Sequence, residues 1–239
     1  MPSDSACEKP GSADARGCVL TVLTPTIGRP GLDELIASID AQTLGASRIF
    51  HILLWDDMRA PQARSPAAYD GPRRLSLVLS AGFGRNGPAP GSPLRAVGLM
   101  PAPPPGVPLA DRAVAWAPDH AESLLAAASG LNWASCLRRI IAPDGGEIGV
   151  DNFESVGDDP SRRVPYEMCD GNTMLFRREL GVAAAPLYRE TTRYDDDRRL
   201  YAFLKAHGGP RGRSARASIR QVCPAHLEAF FRQHCTNQA

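Results

Sequence analysis

Two acidic clusters and one basic cluster are the places where this chain could do chemistry. Asp56-Asp57 closes an apolar run, Asp195-Asp196-Asp197 opens a helical one, and Arg211, Arg213 and Arg216 lie in a Gly/Ser-containing stretch. Carboxylates placed at the ends of elements can accept hydrogen bonds from a ligand or take a proton as a general base. The alternative for the triad is electrostatic, because a helix start tolerates adjacent negative charges through its dipole. The arginines suit an anion clamp or a mobile solvated loop. Cys7, Cys18, Cys136, Cys169, Cys223 and Cys235 form no CxxC pair and have no zinc-ligand spacing with the histidines.

The composition bounds what those clusters can serve. With 27 Lys+Arg against 26 Asp+Glu there is no global field to draw nucleic acid or anionic lipid, so any anion site must be local. A chain of 239 residues, 43% hydrophobic, can bury one sizeable α/β core. The apolar run Cys18 to Leu23 is too short for a signal-peptide core or a membrane span. The expectation is a cytoplasmic, reduced protein with no integral membrane segment. The Ala, Arg, Gly and Pro content suits a GC-rich bacterial coding sequence.

The elements that must position the clusters follow from hydrophobic periodicity. Residues 1–16 lack it and read as a disordered leader, followed by a single domain over 17–239. Cys18 to Leu23, Ile49 to Trp55 and Leu75 to Leu79 are apolar runs of the kind buried in a parallel sheet. Leu32, Leu35, Ile36 and Ile39 recur at helical spacing between the first two. The alternation predicts βαβ units with right-handed crossovers. Further on, 94–100 reads as a brief helix stopped by the proline-rich 101–105, and Ala121, Leu124, Leu125 and Ala128 as a helical stripe opened by Pro118. Residues 131–141 and 172–176 read as strands, 143–163 as a polar loop, and 196–206 and 224–234 as helices. In an open sheet of this kind the ligand belongs beyond the carboxyl ends of the strands.

The residues at those ends carry a resemblance. Thr24 to Pro30 (TPTIGRP), then Ser38 to Thr43 (SIDAQT), is similar to the opening of the family 2 glycosyltransferases, a strand followed by P-T-x-x-R-P and a helix ending in an S-I-x-x-Q-T-like phrase. Asp56-Asp57 is similar to that family's nucleoside-recognising acidic pair. Gly91 to Leu99 (GSPLRAVGL) and Ala115 to His120 (AWAPDH) resemble the segments flanking its metal motif. Asp170 to Arg178 (DGNTMLFRR) and Tyr194 to Arg198 (YDDDR) resemble its acceptor-side strand and acidic base motif. The ordered matches run from about residue 18 to 235.

The resemblance implies a GT-A fold, a mixed and mainly parallel sheet flanked by helices, with a nucleotide-binding part over about 17–115 and an acceptor part over about 116–239. It implies an inverting transfer of a sugar from a nucleoside-diphosphate donor to a small-molecule or glycan acceptor hydroxyl. Pro25, Thr26, Arg29, Asp56, Asp57, Arg95, Asp111 and Arg112 would then bind nucleotide, Trp133 and Asp170 would touch the acceptor, and Asp197, or next Asp196, would be the general base. Bland alternatives stand beside these roles: Thr26 as a turn residue, the Asp56 pair as a solvated turn, Asp111-Arg112 as a surface ion pair, and Trp133 as core.

One departure matters. The family's acidic run shares Mg²⁺ or Mn²⁺ with the donor diphosphate, whereas counting back from Trp116 leaves Asp111-Arg112-Ala113, with one acid. Asp111 is the sole candidate metal ligand in that run, and the expectation is metal-independent binding, with Arg112 supplying the charge. A non-catalytic sugar-nucleotide-binding or scaffolding protein is the alternative. Donor sugar, acceptor and oligomeric state stay open.

Overall fold

The computed structural model describes residues 17–56, 65–83, 91–103, 106–111, 114–158, 167–188 and 195–236. The expected leader, Asp57 and Arg112 lie outside them. The chain opens with β1 (Leu20–Thr26), α1 (Leu32–Asp40), β2 (Ile49–Asp56) and β3 (Arg74–Leu79). All three strands are parallel, with Leu20 beside Ile49 and His51 beside Arg74. Every residue of β1 except Pro25 is buried, because helices cover both faces of the sheet, which is why its sequence does not alternate. The helical stripe holds as read: Leu32, Leu35, Ile36 and Ile39 are the buried residues of α1.

Next come α2 (Ser92–Leu99), β4 (Gly106–Pro108), β5 (Val114–Trp116), α3 (His120–Ala127), β6 (Trp133–Ile141), β7 (Glu147–Asp151), β8 (Met174–Arg177), α4 (Arg178–Ala184) and α5 (Asp196–His207). The last elements are β9 (Arg211–Val222), α6 (Glu228–His234) and β10 (Cys235–Thr236). The sheet runs β10-β7-β6-β8-β4-β1-β2-β3, with β9 beside β6 and β5 beside β9. The β4–β1–β2–β3 part is parallel; β8 joins it antiparallel and carries the second half of the domain.

Side chains alternate across the pleat, so β8 serves two cores. Met174 and Phe176 join Leu23, Leu54, Leu94, Leu109, Trp133, Leu200 and Leu204 on the face covered by α2 and α5. Leu175 joins Val22, Leu35, Trp116, Leu124 and Ile219 on the face covered by α1 and α3.

Two segments differ from the sequence reading. The polar 143–163 stretch contains β7, folded back on β6 by a turn in which the Ala142 N–H donates to the Gly146 carbonyl. The arginine-containing stretch read as a loop is β9, a strand of 12 residues parallel to β6. Its arginines are neutralised by acids remote in sequence: Arg211 and Arg213 by Asp158, and Arg216 by Asp119. Pro118 precedes α3 rather than sitting in its first turn, since the cap position is Asp119.

Candidate functional site

The parallel strands deliver their carboxyl ends to one edge of the sheet. Thr26 ends β1, Asp56 ends β2 one step past the Thr26–Trp55 pairing, and Asp111 follows β4, whose extension beside β1 is held by the Ala110 N–H to the Leu23 carbonyl. Helix α2 is pressed onto the same edge. Its cap Gly91 has φ 91°, and a Cβ there would lie 3.1 Å from Pro25 Cβ, so both the conformation and the close approach call for glycine.

From α2, Arg95 reaches Asp111 through Nη2, 2.8 Å from each carboxylate oxygen. Arg95 is 8% exposed. Burial works against its charge, but Asp111 and Asp197 outweigh that and hold the guanidinium protonated well above its ordinary range. Ser92, at the start of α2, donates its hydroxyl to Asp196 Oδ2 at the start of α5 and so fastens the two helix starts together.

The next residue, Asp197, points at the turn before β8. Its Oδ1 occupies the space a side chain on Gly171 would need, at 2.5 Å from where the Cβ would be. Desolvation and then the charge of Asp170 push the Asp197 carboxyl up to about 7, with Asp111 adding to the effect and Arg95 opposing it. A carboxyl in that range can exchange protons near neutrality.

Tyr188 completes the cluster and carried no signal in the sequence. It is 1% exposed, burial raises its hydroxyl above the ordinary phenol range, and Arg95, Asp197, Asp196 and Asp111 act on it at close quarters. Among the described residues its hydroxyl, Asp196 Oδ1 and Arg95 Nε are buried without a hydrogen-bond partner. Three such atoms in one cluster are unusual, because each carries a desolvation cost of about 1–3 kcal/mol.

The remaining expected residues divide. The Thr26 hydroxyl accepts the Gly28 N–H at 2.9 Å, a turn role, and Arg29 is exposed on the loop beyond. Asp56 is fully buried and accepts the Gly82 N–H at 2.7 Å, tying the loop after β3 to the end of β2. Asp196 is buried on Ser92, so it joins helices, whereas Asp197 lies against Gly171.

The two residues expected on the acceptor side are both held inside the protein. Trp133 is 1% exposed, gives its indole N–H to the Gly209 carbonyl and packs edge-on against Tyr201, which leaves no ring face for a ligand. Asp170 has both oxygens engaged, Oδ1 by the Asn172 main-chain and side-chain nitrogens and Oδ2 by the buried Arg138.

A shared divalent cation does not fit this donor set. Among the described residues no three His, Cys, Asp or Glu side chains converge on one point, and the oxygens of Asp111 already face the Arg95 guanidinium.

The strand order and the helices on both faces define a GT-A-like glycosyltransferase fold. No family model matches the chain, and no curated protein matches it in sequence. Among solved structures, residues 1–349 of TarS from S. aureus superpose with a TM-score of 0.63 at 16% identity, covering 85% of this chain and 60% of that one. The same protein in complex with UDP-GlcNAc gives 0.64 at 15% identity, covering 86% and 59%. In complex with UDP it gives 0.61 at 16%, covering 89% and 62%. This chain thus spans about 60% of the length of that structure, and at such identity the likeness is one of fold.

Proposed function

We propose that this protein transfers a sugar from a nucleoside-diphosphate donor to an acceptor hydroxyl with inversion at the anomeric carbon. The observation that carries the reading is the Arg95–Asp111–Asp197 cluster at the carboxyl edge of the parallel strands. The complexes of its structural neighbour with UDP and UDP-GlcNAc support the choice of donor class.

In this scheme the acceptor oxygen attacks the anomeric carbon while the bond to the diphosphate oxygen breaks and its electron pair leaves with the nucleotide. Asp197 takes the acceptor proton. Arg95, with Arg112, balances the charge growing on the leaving diphosphate, a task a guanidinium performs through several donors at once. Pro25, Thr26, Arg29 and Asp56 border the nucleotide end, a role the resemblance extends to Asp57. No step uses a metal.

The second reading is a sugar-nucleotide-binding or scaffolding protein without catalysis, favoured by the engagement of Arg95 Nη2 with Asp111 inside the protein. One experiment separates the two. The protein is incubated with UDP-, GDP- and dTDP-sugars, with and without simple glycan acceptors, while nucleotide binding is followed by thermal shift and nucleoside diphosphate release by coupled assay. Release identifies an enzyme, binding without release the second reading, and the absence of both overturns the donor class.

A further inference from the structure

Asp111 and Asp197 belong to different halves of the domain, yet a single turn contacts both. Residues 170–172 precede β8, and continuing the β4–β8 pairing from Pro108–Leu175 brings Asp111 opposite Asn172. There the Asn172 Oδ1 accepts the Asp111 N–H at 2.6 Å in place of a main-chain ladder bond. Its Nδ2 donates to Asp170 Oδ1 at 2.8 Å, so both ends of the amide are fixed. One residue earlier, Gly171 lets Asp197 Oδ1 lie against the turn, 2.5 Å from where a Cβ would be, in a space that any side chain would fill.

The turn is moored from beneath. Arg138 on β6, 1% exposed, donates to Asp170, to Asp151 at 2.8 Å through Nε, to Gln221 at 2.8 Å and to Glu154. One guanidinium facing three carboxylates holds all of them in fixed directions, and removing it would strand buried charge.

We propose that Asn172 and Gly171 are the positioning residues of the site, a turn anchored on Arg138 that sets the Asp111 main chain with one residue and the Asp197 carboxylate with the other. The inference rests on the reading of Asp111 and Asp197 as the nucleotide and base ends of one site. It assigns the two residues separate effects, which a purely structural turn would not have.

Arg138 is unsuitable for the test because its variants would lose the fold. Asn172→Ala and Gly171→Ala are suitable, since the second crowds only the end of the flexible Asp197 side chain. UDP affinity is measured by calorimetry, and the Asp197 side-chain carboxyl is titrated by carbon NMR in protein labelled at aspartate. Asp170, Asp111, Asp196, Arg95 and Tyr188 surround that carboxyl, and none is altered in either variant.

Asn172→Ala is expected to weaken UDP about fivefold or more by freeing the Asp111 N–H. Gly171→Ala is expected to move the Asp197 midpoint by about half a unit or more, because the added Cβ displaces the carboxylate from the turn, while UDP affinity stays near the parent's. Variants that keep the parent's melting temperature and show neither change overturn the proposal. If the parent does not bind UDP, the proposed function fails. The Asp197 titration then decides the positioning role by itself, and an unmoved midpoint in Gly171→Ala overturns it.

Discussion

One nitrogen of Arg95, Nη2, lies 2.8 Å from both carboxylate oxygens of Asp111, joining a helix to the extension of a strand at the carboxyl edge of the sheet. Arg95 also opposes the upward shift of Asp197. Arg95→Met keeps much of the side-chain volume and removes the charge. The variant is expected to bind UDP more weakly, to titrate Asp197 above the parent's midpoint near 7 and to lose about 1–3 kcal/mol of stability from the unpaired acids. Unchanged UDP affinity in calorimetry would remove Arg95 from the nucleotide site.

Asp197→Asn is expected to lower turnover roughly 100- to 10,000-fold with UDP affinity retained, the signature of a lost general base. It also changes the pH dependence of stability in a direction fixed by linkage. The folded-state carboxyl titrates near 7, above its value of about 4 in the unfolded chain, so the unfolded state loses its proton first as pH rises. Stability therefore declines between those two values and levels off above the upper one. The Asn variant is expected to match the parent at pH 3–4 and to exceed it at pH 8 by on the order of 1–2 kcal/mol, a figure discounted for the carboxyl's partial exposure. Denaturant melts at the two pH values check this, and parallel pH profiles would place the Asp197 carboxyl in an ordinary solvated state.

Trp133→Phe separates a core role from an acceptor role. The substitution removes the hydrogen bond to Gly209 and leaves a small void beside Tyr201. The expected cost is about 1–3 kcal/mol in chemical denaturation, with activity per folded molecule unchanged. A raised acceptor KM at unaltered stability would restore Trp133 to the acceptor site.

Where the sequence was readable, a local pattern coincided with a tertiary constraint. The Leu32, Leu35, Ile36 and Ile39 stripe is helical because it is buried on one side, and Ile49 to Trp55 is continuously apolar because both sheet faces are covered. The edge positions Thr26, Asp56, Arg95 and Asp111 were placed by motif order, and Asp197 and Asp196 separated only when α5 showed which of them Ser92 holds. Strand β9 was hidden because Arg211, Arg213 and Arg216 read as solvated, and the acids that pair with them lie far back in the chain. Trp133 and Asp170 were assigned to a ligand by motif, whereas Gly209, Asn172 and Arg138 engage them through contacts no spacing encodes. Tyr188 and Asn172 belong to the same category: Asn172 read as the start of a strand but lies in the turn before β8, and the importance of both arises from what the fold brings beside them.

Nucleotide binding is expected to be independent of divalent metal. A cation shared by a carboxylate run and a diphosphate needs several hard oxygen donors free to face it. Here the motif retains Asp111, whose oxygens face Arg95 Nη2, and the adjacent position is Arg112, a second permanent cation in place of a ligand. Bringing a divalent ion to Asp111 would set it against the Arg95 guanidinium, and the like charges would repel most strongly where the protein excludes water. Two guanidinium groups can themselves meet phosphate oxygens with charge and directed N–H bonds, at the expense of the Arg95–Asp111 contact. UDP calorimetry after exhaustive chelation, in parent, Arg112→Ala and Arg95→Met proteins, tests the exchange. Affinity should survive chelation in the parent and fall in both variants. Loss of binding on chelation, recovery with Mn²⁺ and indifference to Arg112→Ala would mean that Asp111 swings away from Arg95 to take a metal, with further ligands supplied by the donor or by acids such as Asp197.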